Sequence, residues 1–186
     1  MDQNSGVIMS HQWEHEDDLI KLALASNKAK REGDIALYEE LQTRIKVFED
    51  IMWQSKVAVF KELSPFSSIA DALYQKSVQL QISFLDLTNS RNNTGDGKFI
   101  FGVSDELRTV QIWPMEDRGY YNVDLFDYEF NETGDCYKGH TRSLEEATIV
   151  VSRWFVERCS IHSLHEQFLW LSNTPFVVSG PRMTFE

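Results

Sequence analysis

The residues of this chain whose types and spacing could do chemistry are two pairs of histidines, a cysteine beside one pair, and an unevenly placed set of acids. His11 and His15 stand four apart, a separation that lets two imidazoles on one helix face share a zinc ion. The segment reads His-Gln-Trp-Glu-His. The glutamate that a zinc peptidase places directly after its first histidine is therefore out of position, and the pair reads as two polar residues on a helix face. Cys159, His162, His165 and Glu166 form a second cluster, from which one helical turn could gather three ligands. No second Cys-x-x-Cys and no distant histidine pair completes a tetrahedral set; Cys136 and His140 are the only residues left to do so. The balance is for no metal and no cofactor, with a metal-binding protein or enzyme using Cys159, His162, His165 and Glu166 as the alternative. A Cys–His nucleophilic pair lacks any local signature. Gly95-Asp96-Gly97-Lys98 lacks phosphate-loop spacing and precedes a predicted strand, so it reads as a turn. With neither G-x-S-x-G nor G-x-G-x-x-G present, no catalytic residue is expected and the chain reads as a non-enzyme.

The acids are more informative. The chain has 186 residues, with 18 Lys+Arg against 29 Asp+Glu, a formal charge of −11. Between Ser104 and Asp135 nine acids face only Arg108 and Arg118, a net of −7 that is most of the total. Binding to nucleic acid or to an anionic membrane needs clustered Lys and Arg, so neither partner is expected. The same segment holds the exposed-looking aromatics Trp113, Tyr120 and Tyr121. Acids set among aromatics make a protein-binding surface, because aromatics anchor and charge speeds encounter. The predicted contact residues are Asp105, Glu106, Trp113, Glu116, Asp117, Tyr120, Tyr121, Asp124, Asp127 and Glu129. The expected partner is a basic protein. A solvated face that keeps sheet edges from aggregating is the competing reading.

The elements that must position these residues fall into two halves. Up to about Ser90 the apolar period is helical. One helix is expected over His11–Arg31, closed by Gly33, with Asp34 capping the next. A long second helix over Ile35–Leu63 is expected from Leu37, Leu41, Ile45, Phe48, Met52, Ser55, Val59 and Leu63, all at spacings of three or four. A third is expected over Ser67–Leu87. A seam on the long helix could pair two subunits, which makes a helix-mediated oligomeric regulatory or scaffold protein a further alternative. The two neighbouring helices make an intramolecular seam the better reading.

After the turn-rich Asn89–Gly97 stretch, alternation takes over. Strands are expected from Phe99 to Val103, around Val110–Ile112, from Tyr120 to Phe130 and over Cys136–Gly139. A bulge near Leu125-Phe126 would explain the shift in apolar parity of the third. Ser143-Leu144-Glu145-Glu146 reads as a capping box opening a helix whose stripe of Leu144, Ala147, Val150, Val151, Trp154 and Phe155 would cover the sheet. Ser163-Leu164-His165-Glu166 repeats the pattern, and Phe176-Val177-Val178 would add an edge strand. The predicted fold class is α+β: an N-terminal three-helix subdomain with one long helix over residues 1–90, then over 91–186 a four-stranded antiparallel meander covered by a C-terminal helix. Two cysteines form no disulfide framework, and no signal segment or apolar run of 18 is present, so a soluble cytoplasmic protein is expected.

Phe99–Glu157 carries a meander, the run Gly119-Tyr120-Tyr121-Asn122-Val123, then Ser143-Leu144-Glu145-Glu146-Ala147 leading to Arg153-Trp154-Phe155. This third of the chain resembles immunity proteins of bacterial polymorphic and contact-dependent toxin systems. The resemblance implies a non-enzymatic inhibitor that binds one cognate toxin, often a basic nuclease, and blocks its active site.

Overall fold

A computed structural model describes residues 5–84, 97–129 and 134–177, with side chains in the first helix described from Asp18 onward. The fold is α+β, with N-terminal helices, an antiparallel meander and C-terminal helices. The chain forms two compact units, Met1–Ser55 and Lys56–Glu186, so the boundary falls inside the second helix and not at the turn-rich stretch near residue 90.

The first unit is a helical hairpin. Helix α1 spans Ser5–Glu32 and α2 spans Ile35–Val59. Gly33 takes φ 76°, a left-handed conformation that costs a glycine little. Asp34 Oδ1 then accepts the N–H of Leu37 at 3.1 Å, capping α2 as expected. The seam between the helices holds Leu22, Ala29 and Leu41, flanked by Tyr38, Ile45 and Phe48. Gln42 bridges to Ser26 across it at 2.7 Å.

Helix α2 stops at Val59, four residues short of the expected Leu63, and a 3-10 turn covers Lys61–Leu63. The break turns Phe60 into the core of the second unit, where its ring lies 4.7 Å from that of Tyr121. It also buries Leu63 completely. Helix α3, Ile69–Leu80, is capped by Ser68 Oγ on the N–H of Asp71 and ends at Gln81, which turns left-handed at φ 55°. The expected extension to Leu87 stops there; residues 85–87 lie outside the described ones. Helix α3 packs on α4, Leu144–Val151, and so belongs to the sheet-bearing unit rather than to a three-helix subdomain.

The sheet has the order β1-β2-β3-β4-β5, every neighbour antiparallel. Its strands are β1 Phe101–Ser104, β2 Arg108–Met115, β3 Tyr120–Asp127, β4 Asp135–Thr141 and the short edge strand β5 Phe176–Val177. The register of β3 runs unbroken against both neighbours, so the expected bulge near Leu125-Phe126 is not there. The parity shift has another cause. Tyr121, Val123 and Leu125 face the covered side with polar Asn122 and Asp124 between them, while Phe126 is half-buried on the opposite face, its ring stacked on that of Tyr128 with centroids 6.4 Å apart.

One face of the sheet is covered. Phe101, Val103, Val110, Ile112, Tyr121, Val123, Leu125 and Gly139 share it by register and are all buried. Above it lie α4 and a π-helical turn, Ser152–Val156, that buries Trp154. The expected capping box is altered: Ser143 Oγ accepts the N–H of Glu146, but the Glu146 carboxylate takes the Thr141 hydroxyl at 2.5 Å. Thr141 in turn accepts the Ser143 N–H at 3.1 Å. Helix α5, Ile161–Gln167, is capped by Ser160, not by Ser163, which lies inside it.

Candidate partner-binding surface

The acid-rich segment folds into β2, β3 and the turns around them, and tertiary structure splits its acids into two groups. Three of them meet a cation from outside the segment. Asp105 holds the β1–β2 turn by accepting the N–H groups of Leu107 and Arg108 at 2.9 and 2.8 Å, and it pairs with Arg158. Burial works against its charge, but these hydrogen bonds outweigh it and hold the carboxyl below its ordinary value. Glu116 pairs with Lys56 at 2.7 Å, both side chains nearly buried. Asp124 is 4% exposed, pairs with Lys138 at 3.2 Å and accepts a hydrogen bond from Asn122 at 2.8 Å. The local charge is therefore smaller than the segment count of −7 implied.

The second group lies at one end of the sheet. Arg108, Asp127 and Asp135 occupy one cross-strand row on β2, β3 and β4. Directly opposed side chains in such a row come within about 5 Å at Cβ, and like charges there repel. The Arg108 guanidinium does not relieve them. It is buried, stacked 4.1 Å from the Trp154 ring centroid, and donates to the carbonyls of Trp154 and Cys159 at 2.8 and 3.0 Å. These carbonyls lie where the π turn ends, so the cation serves as a C-terminal cap. Among the described residues, no Lys or Arg pairs with Asp127 or Asp135. Asp127 Oδ1 accepts the N–H of Glu129 at 3.0 Å. Glu106, Leu107 and Glu129 are exposed beside them, and Tyr128 is half-buried, its N–H on the Leu107 carbonyl. Burial, reinforced by Asp135 and Asp127, pushes the Tyr137 phenol up.

The aromatics divide as well. Tyr121 was expected at the surface, but it is fully buried on the helix-covered face, and its hydroxyl donates to Glu62 at 2.8 Å. Glu62 also accepts the N–H of Leu144 at the start of α4. Trp113 and Tyr120 are half-buried on the opposite face of the sheet. Trp113 lies against Met115, and Tyr120 stacks on His140 with centroids 4.4 Å apart. Asp117, at the β2–β3 turn, is exposed and pairs with Arg118 at 3.5 Å. Of the ten predicted contact residues, Asp127, Glu129 and Glu106 gather at the acidic end. Trp113 and Tyr120 lie elsewhere on the sheet, Asp117 sits at the β2–β3 turn, and Tyr121, Asp124, Glu116 and Asp105 serve the fold. Asp135 and Leu107 also belong to the acidic end. Only the strand register could have added Asp135 to the predicted set.

No family model, curated protein or solved structure matches this chain.

The other candidate chemistry disperses. His165 Nδ1 faces the Leu171 carbonyl at 2.6 Å, and His162 pairs with Glu166 on the exposed side of α5. Cys159 Sγ lies 3.9 Å from Glu157. Among the described residues, no three His, Cys, Asp or Glu side chains are grouped so that they could hold a metal ion. The Cys136 thiol is pushed up to about 11 by burial and by Asp124, a poor setting for a nucleophile. Gly97 and Lys98 turn their carbonyls, not their amides, toward the first turn of α3, accepting the N–H groups of Ala70 and Ile69. That geometry satisfies the helix terminus internally. The side chains of His11 and His15 lie outside the described ones. No described helix is long and apolar enough to cross a membrane.

Proposed function

We propose that this chain is a non-enzymatic cytoplasmic binding protein that takes a basic protein partner at the acidic end of its sheet. The observation that carries the reading is the Asp127–Asp135 pair, opposed across β3 and β4 with its row's own cation committed to the carbonyls of Trp154 and Cys159. A fold tolerates like charges face to face at a cost of a few tenths of a kcal/mol. A Lys or Arg side chain from outside would turn that repulsion into attraction. Glu106 and Glu129 add to the field, Leu107 and Tyr128 offer apolar contact beside it, and charge of one sign speeds encounter. The resemblance of Phe99–Glu157 to immunity proteins supplies the class: an inhibitor that occludes a basic toxin such as a nuclease.

The test is co-expression with the protein of the adjacent reading frame, followed by stopped-flow association at increasing salt. Reversing Asp127 and Asp135 together to Lys should slow association about tenfold and flatten its salt dependence. Association that keeps its rate and salt dependence overturns the surface. A wild-type chain that leaves a basic neighbour's activity untouched overturns the inhibitor class.

A further inference from the structure

Helix α2 carries two parallel stripes. The inner one, Tyr38, Leu41, Ile45 and Phe48, fills the seam of the helical hairpin. Beside it runs Leu37, Glu40, Arg44, Val47 and Ile51, alternately three and four residues apart, the spacing of a coiled-coil seam. This outer stripe is open: Leu37, Val47 and Ile51 are 43%, 55% and 51% exposed, and Glu40 and Arg44 are exposed between them. Glu40 and Arg44 stand four apart on one helix, yet among the described residues neither enters an ion pair. Three large apolar side chains in one line are more than the scattered exposure that a soluble surface carries by default.

The order of residues in the stripe fixes what can cover it. A second α2 laid parallel would set Glu40 on the partner's Glu40 and Arg44 on the partner's Arg44. Laid antiparallel, with the two-fold axis at the level of Gln42, it sets Glu40 on the partner's Arg44 and Arg44 on the partner's Glu40. The same register brings Leu37 against the partner's Val47 at both ends. Ile51 then meets the partner's Gly33, where a Cβ would touch nothing within 4 Å and space is free. One patch is complementary to itself, as a two-fold interface requires.

We infer that the outer stripe of α2 is a self-association surface for a second copy of this chain, packed antiparallel, with two Glu40–Arg44 pairs crossing the axis. The surface is independent of the acidic end of the sheet. It also differs from a helix seam built on Ile45, because Ile45 is committed to the hairpin.

Sedimentation equilibrium of the full chain and its charge variants tests this. Wild type should dimerise. Arg44→Glu and Glu40→Arg should each weaken the dimer at least about tenfold, since each sets like charges across the axis. The double variant Glu40→Arg, Arg44→Glu should regain it. An equimolar mixture of the two single variants should form a heterodimer, which neither misfolding nor a generic loss of charge would produce. Circular dichroism checks that each variant keeps its helices. A wild type that stays monomeric at every concentration overturns the inference. So does a folded double variant or a mixture that stays monomeric.

Discussion

The two faces of the sheet are built from the same four long strands and put to different uses. On the helix-covered face Arg108, Tyr121 and Trp154 each have an internal task, whereas the buried Trp170 Nε1, its ring against Gly139, has no hydrogen-bond partner among the described residues. Arg108 closes the end of the π turn, Tyr121 holds Glu62 against the start of α4, and Trp154 Nε1 donates to the Thr109 carbonyl at 3.3 Å. The opposite face mixes half-buried Gln111, Trp113, Met115, Tyr120 and Phe126 with exposed Lys138 and His140. It keeps its one buried carboxylate, Asp124, balanced by Asn122 and Lys138. Where the covered face runs out, Asp127 and Asp135 have no Lys or Arg partner among the described residues. Whether an acid of this molecule is open to a partner thus depends on the cations folded against it, not on its place in an acidic run.

The comparison breaks most visibly if a residue of the covered face proves dispensable. Trp154→Ala should cost about 3–5 kcal/mol in urea denaturation, whereas Trp113→Ala on the opposite face should cost about 1 kcal/mol. Arg108→Met should lose about 2–3 kcal/mol, because it strands two carbonyls that a charged donor had satisfied. Gly139→Ala should lose about 1–3 kcal/mol: its Cβ would stand 2.6 Å from the Trp170 ring and 3.0 Å from the backbone of Leu171.

A pH series sharpens the contrast between committed and uncommitted acids. The Asp105 carboxyl is held below the ordinary aspartate value of 3.8. Its ionised form therefore stabilises the fold above that value, and the contribution fades as pH falls through the folded pKa. Asp105→Asn should cost about 1 kcal/mol at neutral pH and less in acid, as read by thermal melts across pH. The smallest effect has the opposite sign. Asp135→Asn should raise stability by a few tenths of a kcal/mol by relieving its clash with Asp127. The same variant should bind the partner more weakly, a combination that a merely solvated face would not give.

Much of the fold was legible because it rests on local signals. Gly33-Asp34 ends one helix and caps the next, Ser143 opens α4, and short turns between alternating segments admit only antiparallel neighbours. These are interactions within four residues, or pairings that the length of a connection dictates. Where distant packing competes, local reading failed. Phe60 leaves the helix to reach Tyr121, Gln81 ends α3 seven residues early, and β3 needs no bulge because Phe126 packs on Tyr128 on the opposite face.

The candidate site divides along the same line. The sequence by itself determined that acids and aromatics would crowd onto β2 and β3 and that a helix with a Trp-Phe end would follow, since periodicity and composition are properties of the chain. Only tertiary structure decided which acids remain available. Lys56, Lys138 and Arg158 neutralise Glu116, Asp124 and Asp105, while Arg108, the cation nearest Asp127 in register, is drawn to the carbonyls of Trp154 and Cys159. Electrostatic pairing acts over a few ångströms in space. Residues up to 60 apart in the chain thereby decide which carboxylates a partner can meet.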